Sequence, residues 1–301
     1  SNFDNGIICH EYGHGISNRL TGGPSQVDCL WNDEQMGEGW SDFFSLITSD
    51  VLGSTGNDVR GIGNFASARA ADGPGIRPYP YTHDMSANPL TYANISQLSI
   101  PHGVGSVWCT MLWDLYWNLS HLYGNSYDMY TFSGGNNIAI HLVMEGMRIQ
   151  SCNPGFVDGR DAILAADQYL YDGAHECLIW ETFARRGLGY SASQGDSFTV
   201  GDETQAFDMP PSCADDLGFN DNDGLNFNVY PNPASNVITI SSDQGAIIDN
   251  VRIVDLAGKT ISTASVNNSS VTLPLDKVSN GMYLLEISSN NQLKKVRFVK
   301  M

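Results

Sequence analysis

Hydrophobic residues repeat every three or four positions along most of the first two thirds of the chain, which is the period of an α-helix. The pattern predicts helices over residues 4–20, capped by Asp4 or Asn5 and stopped by Gly22-Gly23, and over 36–52. A third begins at Pro101, and its apolar positions predict a core helix: Val104, Val107, Trp108, Met111, Leu112, Leu115, Leu119 and Leu122. Further helices are expected at about 136–150, 158–171 and 174–187.

A stretch rich in Gly, Pro and Tyr separates the second and third predicted helices. It includes the run Arg77-Pro78-Tyr79-Pro80-Tyr81. Because proline and glycine at this density exclude a regular helix, we expect an ordered loop here.

The pattern changes near residue 229 to short β-like runs at 237–240, 251–254, 271–275, 282–287 and 296–299, separated by Asn, Gly and Ser turns. We therefore expect three parts. Residues 1–210 form a mainly α domain, residues 211–228 an acidic linker, and residues 229–301 a small all-β antiparallel sandwich.

Charge is divided at the same place. Residues 1–228 contain eight Arg, no Lys and 28 acidic residues, a net charge of −20, whereas residues 229–301 carry a net charge of +2. Such a break supports a domain boundary. An acidic first part disfavours nucleic acid as a partner, because no basic stripe is present to contact the phosphates. No stretch reaches the roughly 20 uninterrupted apolar residues of a membrane span, so we expect none.

The six cysteines form no Cys-x-x-Cys pair: Cys9, Cys29, Cys109, Cys152, Cys177 and Cys213. One or two disulfides in an exported protein is one interpretation, and free buried thiols are the other. Cys152 and Cys177 bracket a predicted helix and form the favoured pair. Because the chain opens at Ser1 with neither an initiator Met nor a signal segment, we expect a C-terminal fragment of a longer precursor.

The run His10-Glu11-Tyr12-Gly13-His14 lies within the first predicted helix. Residues four apart share a helix face, so His10 and His14 can bind one metal ion. Glu11 lies beside that face, where it can accept a proton from a water on the metal. Two histidines placed this way for structural reasons are the alternative, which the helical context and the next motif disfavour.

A catalytic zinc site needs three protein ligands and one open position. Glu38, in the second predicted helix, is the candidate third ligand. Asp42 follows it by one turn and is expected to accept the second ring N–H of a ligand histidine, with His14 as its partner.

Several motifs resemble the fungalysin family of metalloproteases over roughly residues 1–200. They are the run from His10 to Pro24, Met36 to Phe44, Arg77 to Tyr81, Val107 to Tyr116, Cys152-Asn153-Pro154 with Asp158 to Asp167, and Cys177 to Trp180 through Gly187-Leu188-Gly189. The resemblance implies a thermolysin-like C-terminal catalytic subdomain whose β-rich N-terminal half is missing from this chain. It also implies Zn2+ on His10, His14 and Glu38, with Glu11 as base in peptide-bond hydrolysis.

Two features go beyond the zinc ligands. The resemblance implies that His102, which opens the third long helix, stabilises the transition state. Gly13 stands where the family usually has Thr, and with Gly15 it places two glycines in the ligand helix, each costing roughly 1 kcal/mol against Ala. Close packing of another backbone is the expected reason. His83, His121, His141 and His175 are expected to be structural or exposed.

Residues 229–301 resemble the type A sorting domain of the type IX secretion system. The resemblance rests on Val229 to Asn236, Asp255 to Lys259, Gly281 to Ile287 and Lys294 to Lys300. It implies recognition by that machinery, export across a bacterial outer membrane, and a secreted or cell-surface location. A carbohydrate-binding or adhesive β-domain is the alternative, disfavoured because few aromatic residues are available to stack on sugars.

Two functions therefore follow from the sequence. The first is a secreted zinc-dependent endopeptidase that hydrolyses extracellular proteins or peptides through a metal-activated water. The second is a catalytically inactive zinc-binding surface or adhesin protein. Calcium binding at Asp221-Asn222-Asp223-Gly224 has weaker support, since these residues also make ordinary Asx turns.

Overall fold

The computed structural model describes residues 3–51, 53–126, 128, 130–214, 227–242, 245–255, 259–279, 281–289 and 292–300. The chain divides into two compact units, Ser1–Cys213 and Ala214–Met301. The first is helical and the second consists of antiparallel β-sheets, which confirms the predicted fold class. In the described part of the chain, no helix combines the length and apolarity that crossing a membrane requires.

The first unit contains the predicted helices and two short ones. They are α1 (Asn5–Leu20), α2 (Gly37–Thr48), a 3-10 helix (Tyr92–Gln97), α3 (His102–Tyr123), α4 (Gly135–Ile149), α5 (Phe156–Tyr171), α6 (Glu176–Arg185) and α7 (Pro211–Ala214). The prediction for α2 was too long, because this helix ends at Thr48. The 3-10 helix lies within the predicted loop, and α7 lies at the start of the predicted linker.

Helix α1 is fixed at both ends. Asp4 is its N-cap: one carboxylate oxygen accepts a hydrogen bond from the Ile7 N–H at 3.2 Å, and the other accepts from the Ala66 N–H at 2.9 Å. A capping side chain satisfies a backbone donor that the first turn leaves unpaired. After α1, Gly22 and Gly23 adopt φ values of +77° and +84°, a region that favours glycine.

Helix α3 forms the centre of the helical core, and α2, α4 and α6 pack against it. Its predicted apolar positions are buried, with Leu122 half-buried. The Trp108 ring lies 5.0 Å from Trp40 of α2 and 5.7 Å from Phe183 of α6. Truncation of a buried Trp to Ala costs about 3–5 kcal/mol in protein cores. These aromatic contacts therefore fix α2, which carries Glu38, against the core.

Two disulfides connect the helical unit, and neither is the predicted Cys152–Cys177 pair. Cys29 bonds Cys152, and Cys177 bonds Cys213. The prediction was wrong because α5, with its 16 residues, lies between Cys152 and Cys177 and spans about 24 Å at 1.5 Å per residue. Bonded cysteines need Cα atoms within about 7 Å. Among the described residues, Cys9 and Cys109 are free.

The second unit contains two antiparallel sheets. Its strands are β1 (Phe227–Tyr230), β2 (Val237–Ser242), β3 (Ile248–Val254), β4 (Thr260–Asn268), β5 (Ser270–Pro274), β6 (Gly281–Ser289) and β7 (Gln292–Lys300). One sheet has the order β1-β2-β5 and the other β4-β3-β6-β7. A single hydrophobic cluster joins them and includes Ile238 and Ile240 from one sheet with Val251 and Ile287 from the other.

Strands β1 and β4 were not predicted. The β4 sequence, Thr-Ile-Ser-Thr-Ala-Ser-Val-Asn-Asn, is rich in the polar residues that also make turns. It forms an edge of its sheet, where one neighbour and one partly buried face suffice, and Ile261, Ala264 and Val266 pack on the core. The predicted calcium site at residues 221–224 lies outside the described residues.

Candidate metal centre

Helix α1 presents two histidine rings to one point. His10 is buried and His14 is half-buried, and their Nε2 atoms lie 3.1 Å apart. The spacing of four residues places both rings on the side of α1 that faces α2. Two ring nitrogens this close require a shared proton or a cation between them, because two lone pairs repel each other.

Gly13 allows α1 and α2 to approach closely. A Cβ at Gly13 would lie 2.6 Å from the Ser41 Cα, which a real side chain cannot do without a backbone shift. The close packing expected for the two glycines therefore explains Gly13. It does not explain Gly15, where a Cβ would meet only the Arg19 guanidinium at 3.7 Å.

Glu38 comes from the first turn of α2. Its Oε2 lies 3.4 Å from His10 Nε2, and its Oε1 lies 3.4 Å from His14 Nε2. The backbone next to it is held by a second close approach, since a Cβ at Gly39 would lie 2.3 Å from the Gly105 carbonyl oxygen in α3. Helices on both sides thus set the position of the carboxylate.

The geometry of these three side chains fits zinc. One ligand atom from each of His10, His14 and Glu38 lies within 4.8 Å of the others. The shortest distances, with a different Glu38 oxygen for each histidine, are 3.1–3.4 Å. A tetrahedral ion with bonds of about 2.0–2.1 Å separates its ligand atoms by about 3.3–3.4 Å. Two imidazole nitrogens and a carboxylate are also a donor set that catalytic zinc sites use.

Asp42 contacts His10, so the predicted pairing with His14 was wrong. Its Oδ1 lies 2.7 Å from His10 Nδ1. The reason is the direction of the helices: Gly13 of α1 approaches Ser41, whereas Gly6 approaches Ser45, so α1 and α2 are antiparallel. Asp42, one turn after Glu38 in α2, therefore lies beside His10, which is one turn before His14 in α1. Because His10 Nδ1–H donates to Asp42, His10 Nε2 is left as the ligand atom.

Two residues of the loop between α2 and α3, Arg77 and Tyr81, contact the metal centre, and no role had been predicted for either. Arg77 donates from Nε to Asp42 Oδ2 at 2.6 Å, and from Nη2 to Asp42 Oδ1 and Glu38 Oε2, each at 2.8 Å. The Tyr81 hydroxyl donates to Asp42 Oδ2. Both side chains are buried. The sequence signal was the Arg77 to Tyr81 run, which is one of the family motifs.

In this cluster, hydrogen bonds and neighbouring charges shift the pKa values in the direction opposite to the effect of burial. Burial lowers the pKa of His10, but hydrogen bonds to Asp42 and Glu38 and their charges raise it to about 9. Burial raises the pKa of Glu38 and of Asp42, yet the hydrogen bonds of His10 and the charge of Arg77 hold both pKa values below their usual range. Both carboxylates are therefore negative and favour positive charge at the His10 ring.

The two predicted catalytic residues lie beside the cluster. His102 begins α3, its side chain is 62% exposed, and its Nε2 lies 3.6 Å from Glu38 Oε1. It is outside the group whose ligand atoms lie within 4.8 Å of one another. Glu11 is exposed on α1 next to His10. An accessible carboxylate and an accessible imidazole thus flank the possible metal ligands.

The remaining histidines have other partners. His83 contacts Asn118, His141 contacts the Tyr171 hydroxyl, His175 contacts Asp167, and His121 packs against Trp117. None belongs to the group of possible ligands found in the described residues.

A helix with His-Glu-x-x-His, joined by a glutamate from the next helix, defines a class of zinc metallopeptidases. Residues 1–192 match the profile of the fungalysin metallopeptidase family (M36). The chain belongs to this family. Residues 228–301 match a secretion system C-terminal sorting domain.

Curated relatives agree with this assignment. The chain is 44% identical over 209 residues to extracellular metalloproteinase 4 of Arthroderma otae, a match that covers 66% of the chain and 32% of the relative. It is 43% identical over 220 residues to extracellular metalloproteinase 10 of Coccidioides posadasii, covering 70% and 34%. It is 44% identical over 207 residues to extracellular metalloproteinase mep of Aspergillus fumigatus, a match that covers 66% of the chain and 32% of the relative. The chain thus spans about a third of the length of these relatives.

Two solved structures have weaker similarity. The match to PorZ of the type-IX secretion system of Porphyromonas gingivalis covers 33% of this chain and 13% of the PorZ chain, at 20% sequence identity. A DUF3244-family immunoglobulin-like β-sandwich protein from Bacteroides vulgatus covers 27% and 88% at 19% identity. TM-scores of 0.22 and 0.23 establish no shared fold.

Proposed function

We propose that this chain carries the zinc centre of a secreted endopeptidase. The observation that supports this most directly is the convergence of three side chains: His10 Nε2 and His14 Nε2 lie 3.1 Å apart, and each lies 3.4 Å from one oxygen of the Glu38 carboxylate. These three side chains hold the metal. Asp42 fixes the tautomer of His10, and Arg77 ties Asp42 to Glu38.

Zinc held by His10, His14 and Glu38 would act as a Lewis acid toward a peptide carbonyl and would lower the pKa of a bound water to about 7. Glu11 holds the attacking water by a hydrogen bond, accepts its proton and passes it to the leaving amine. The His102 imidazole donates to the oxygen of the scissile carbonyl as negative charge develops there. Loss of one such donor costs about 2.7–4 kcal/mol in known enzymes.

The test uses the full-length protein. We expect it to hydrolyse casein. A chelator should abolish this activity, and added zinc should restore it. Glu11→Gln is expected to lower kcat by about 10²–10⁴-fold while one zinc per chain stays bound. Glu176→Gln in α6 is the control and should retain activity. A Glu11→Gln protein that remains active contradicts the mechanism.

Zinc at one per chain without hydrolysis by the unaltered protein would support the alternative, an inactive zinc-binding surface or adhesin protein. The match of residues 228–301 to a secretion sorting domain supports export. We infer that the type IX secretion machinery of a bacterial outer membrane recognises residues 229–301, and that the peptidase acts on extracellular proteins or peptides.

A further inference from the structure

Asp42 is surrounded by hydrogen-bond donors. Its side chain is completely buried, and each carboxylate oxygen accepts two hydrogen bonds. Oδ1 accepts from His10 Nδ1 and Arg77 Nη2, and Oδ2 accepts from Arg77 Nε and the Tyr81 hydroxyl. A buried carboxylate with this many donors has one well-defined orientation. That orientation determines where the His10 ring can lie.

The two donor residues other than His10 are not equivalent. Arg77 divides its Nη2 group between Asp42 Oδ1 and Glu38 Oε2, at 2.8 Å from each. Any turn of the guanidinium toward Asp42 therefore moves it away from a metal ligand. In the part of the chain that the structure describes, the Tyr81 hydroxyl donates to Asp42 and makes no hydrogen bond to His10, His14 or Glu38. Its hydroxyl secures Asp42 and leaves Arg77 free to hold Glu38.

The Tyr81 side chain is itself held firmly. Its backbone N–H donates to the Arg60 carbonyl at 2.7 Å, and the Arg60 N–H donates back to the Tyr81 carbonyl at 3.0 Å. The side chain is 1% exposed. Burial and the adjacent Asp42 charge raise the pKa of Tyr81 well above its usual value, so the hydroxyl keeps its proton as a donor. Such a group loses little freedom when it donates.

We propose that Tyr81 is a positioning residue of the metal centre. Its hydroxyl orients Asp42, which in turn orients His10. Arg77 can then keep its hydrogen bond to Glu38. The inference rests on the proposed zinc site. Two effects oppose each other when the hydroxyl is removed. Asp42 becomes more basic toward His10, but of the two residues that orient Asp42 against His10, Arg77 alone remains. Because Arg77 also holds Glu38, the loss reaches two of the three ligands, and we expect the geometric effect to dominate.

The experiment compares Tyr81→Phe with Tyr116→Phe in the full chain. Tyr116 is the matched control: it is buried and its hydroxyl donates to Asp50 Oδ2 at 2.7 Å, away from the metal centre. Zinc affinity is measured by competition with a chromophoric chelator. Outer partners of metal ligands contribute about 10–100-fold in affinity, and we expect a loss of about tenfold in Tyr81→Phe. Tyr116→Phe should stay within about twofold of the unaltered protein.

A second measurement separates positioning from general stability. Cobalt(II) replaces zinc, and its visible absorption reports the geometry of the ligands. We expect the bands of Tyr81→Phe to shift and those of Tyr116→Phe to remain. Tyr81→Phe with unchanged zinc affinity and an unchanged cobalt spectrum overturns the role of Tyr81 while the zinc site stands. Absence of zinc binding in the unaltered chain overturns both this inference and the proposed function.

Discussion

His10 Nδ1 and Asp42 Oδ1 lie 2.7 Å apart, and both side chains are buried between α1 and α2. This contact joins a possible zinc ligand to the helix that provides another, Glu38. Since Nδ1 is engaged, His10 directs Nε2 toward the place where the metal binds. The antiparallel arrangement of α1 and α2 thus brings the possible ligands together and orients one of them.

Asp42→Asn is expected to weaken zinc binding by about 10–100-fold, the range found for outer partners of metal ligands. The amide can still accept from His10, but it carries no charge and its NH2 group faces the Arg77 donors. Asp167→Asn is the control, because Asp167 Oδ1 also contacts a buried histidine, His175, at 2.6 Å. Competition titration with a chelator measures both. Equal zinc affinities in the two variants would show that Asp42 does not contribute to zinc binding.

Gly13→Ala and Gly15→Ala should have opposite effects. A Cβ at Gly13 meets the Ser41 backbone, so α1 must move away from α2, at a cost of about 1–3 kcal/mol in stability and with weaker zinc binding. Gly15 has room for a methyl group, and Ala gains up to about 1 kcal/mol in helix propensity. Urea unfolding and zinc titration of both variants check this. A Gly13→Ala protein as stable as Gly15→Ala would contradict the close packing.

The parts of the structure that depend on local pattern were predictable. The ends of α1 follow from Asp4 and Gly22, and the burial of α3 follows from apolar spacing that places Trp108 and Leu112 on the inside. The possible ligands His10, His14 and Glu38 came from spacing within two helices. The ends of α1, the buried face of α3 and the pairing of His10 with His14 need only residues within a few turns of one another, and Glu38 was added from the second motif.

The parts that depend on how distant elements meet were not predictable. Asp42 was assigned to His14 because nothing in the sequence shows that α1 and α2 are antiparallel. Cys29 and Cys152 are 123 residues apart, so their pairing follows only from the packing of the whole unit. Arg77 lies in an irregular loop, where no periodicity shows which side chain faces the core.

Glu34 should make the stability of the helical unit depend on pH. It is completely buried. Burial raises its pKa from 4.5 to about 8, against hydrogen bonds from the Phe156 N–H and Tyr92 hydroxyl, with Glu203 and Asp202 adding to the rise. Between these pH values the folded state binds more protons than the unfolded state. The contribution of Glu34 is therefore full below about pH 4.5 and is lost as the pH rises to about 8.

The matched comparison is Glu34→Gln, which keeps an acceptor and cannot ionise. Urea unfolding of both proteins between pH 5 and 8, with a chelator present so that metal does not contribute, gives the dependence. The unaltered protein is expected to lose up to about 1.4 kcal/mol per pH unit more than Glu34→Gln. Parallel curves for the two proteins would show that Glu34 titrates normally.

The two disulfides should contribute unequally. Cys29–Cys152 closes a separation of 123 residues and Cys177–Cys213 one of 36. In the chain-entropy view the longer loop is worth about 5 kcal/mol and the shorter about 4 kcal/mol. Double alanine variants of each pair, unfolded in guanidinium, should therefore differ by about 1 kcal/mol, with loss of Cys29–Cys152 the more destabilising. The reverse order would mean that strain or residual structure outweighs loop length.

Removal of residues 229–301 should separate export from zinc binding. These residues lie in the second unit, Ala214–Met301, which has its own hydrophobic core, and the possible zinc ligands all lie in the other unit. If the sorting domain directs secretion, the shortened protein stays with the cells, whereas the purified protein binds zinc as tightly as before. Cell and medium fractions of the natural host, probed with an antibody to the helical unit, test the first expectation. A truncated protein that still reaches the medium in full amount would show that another part of the protein directs export.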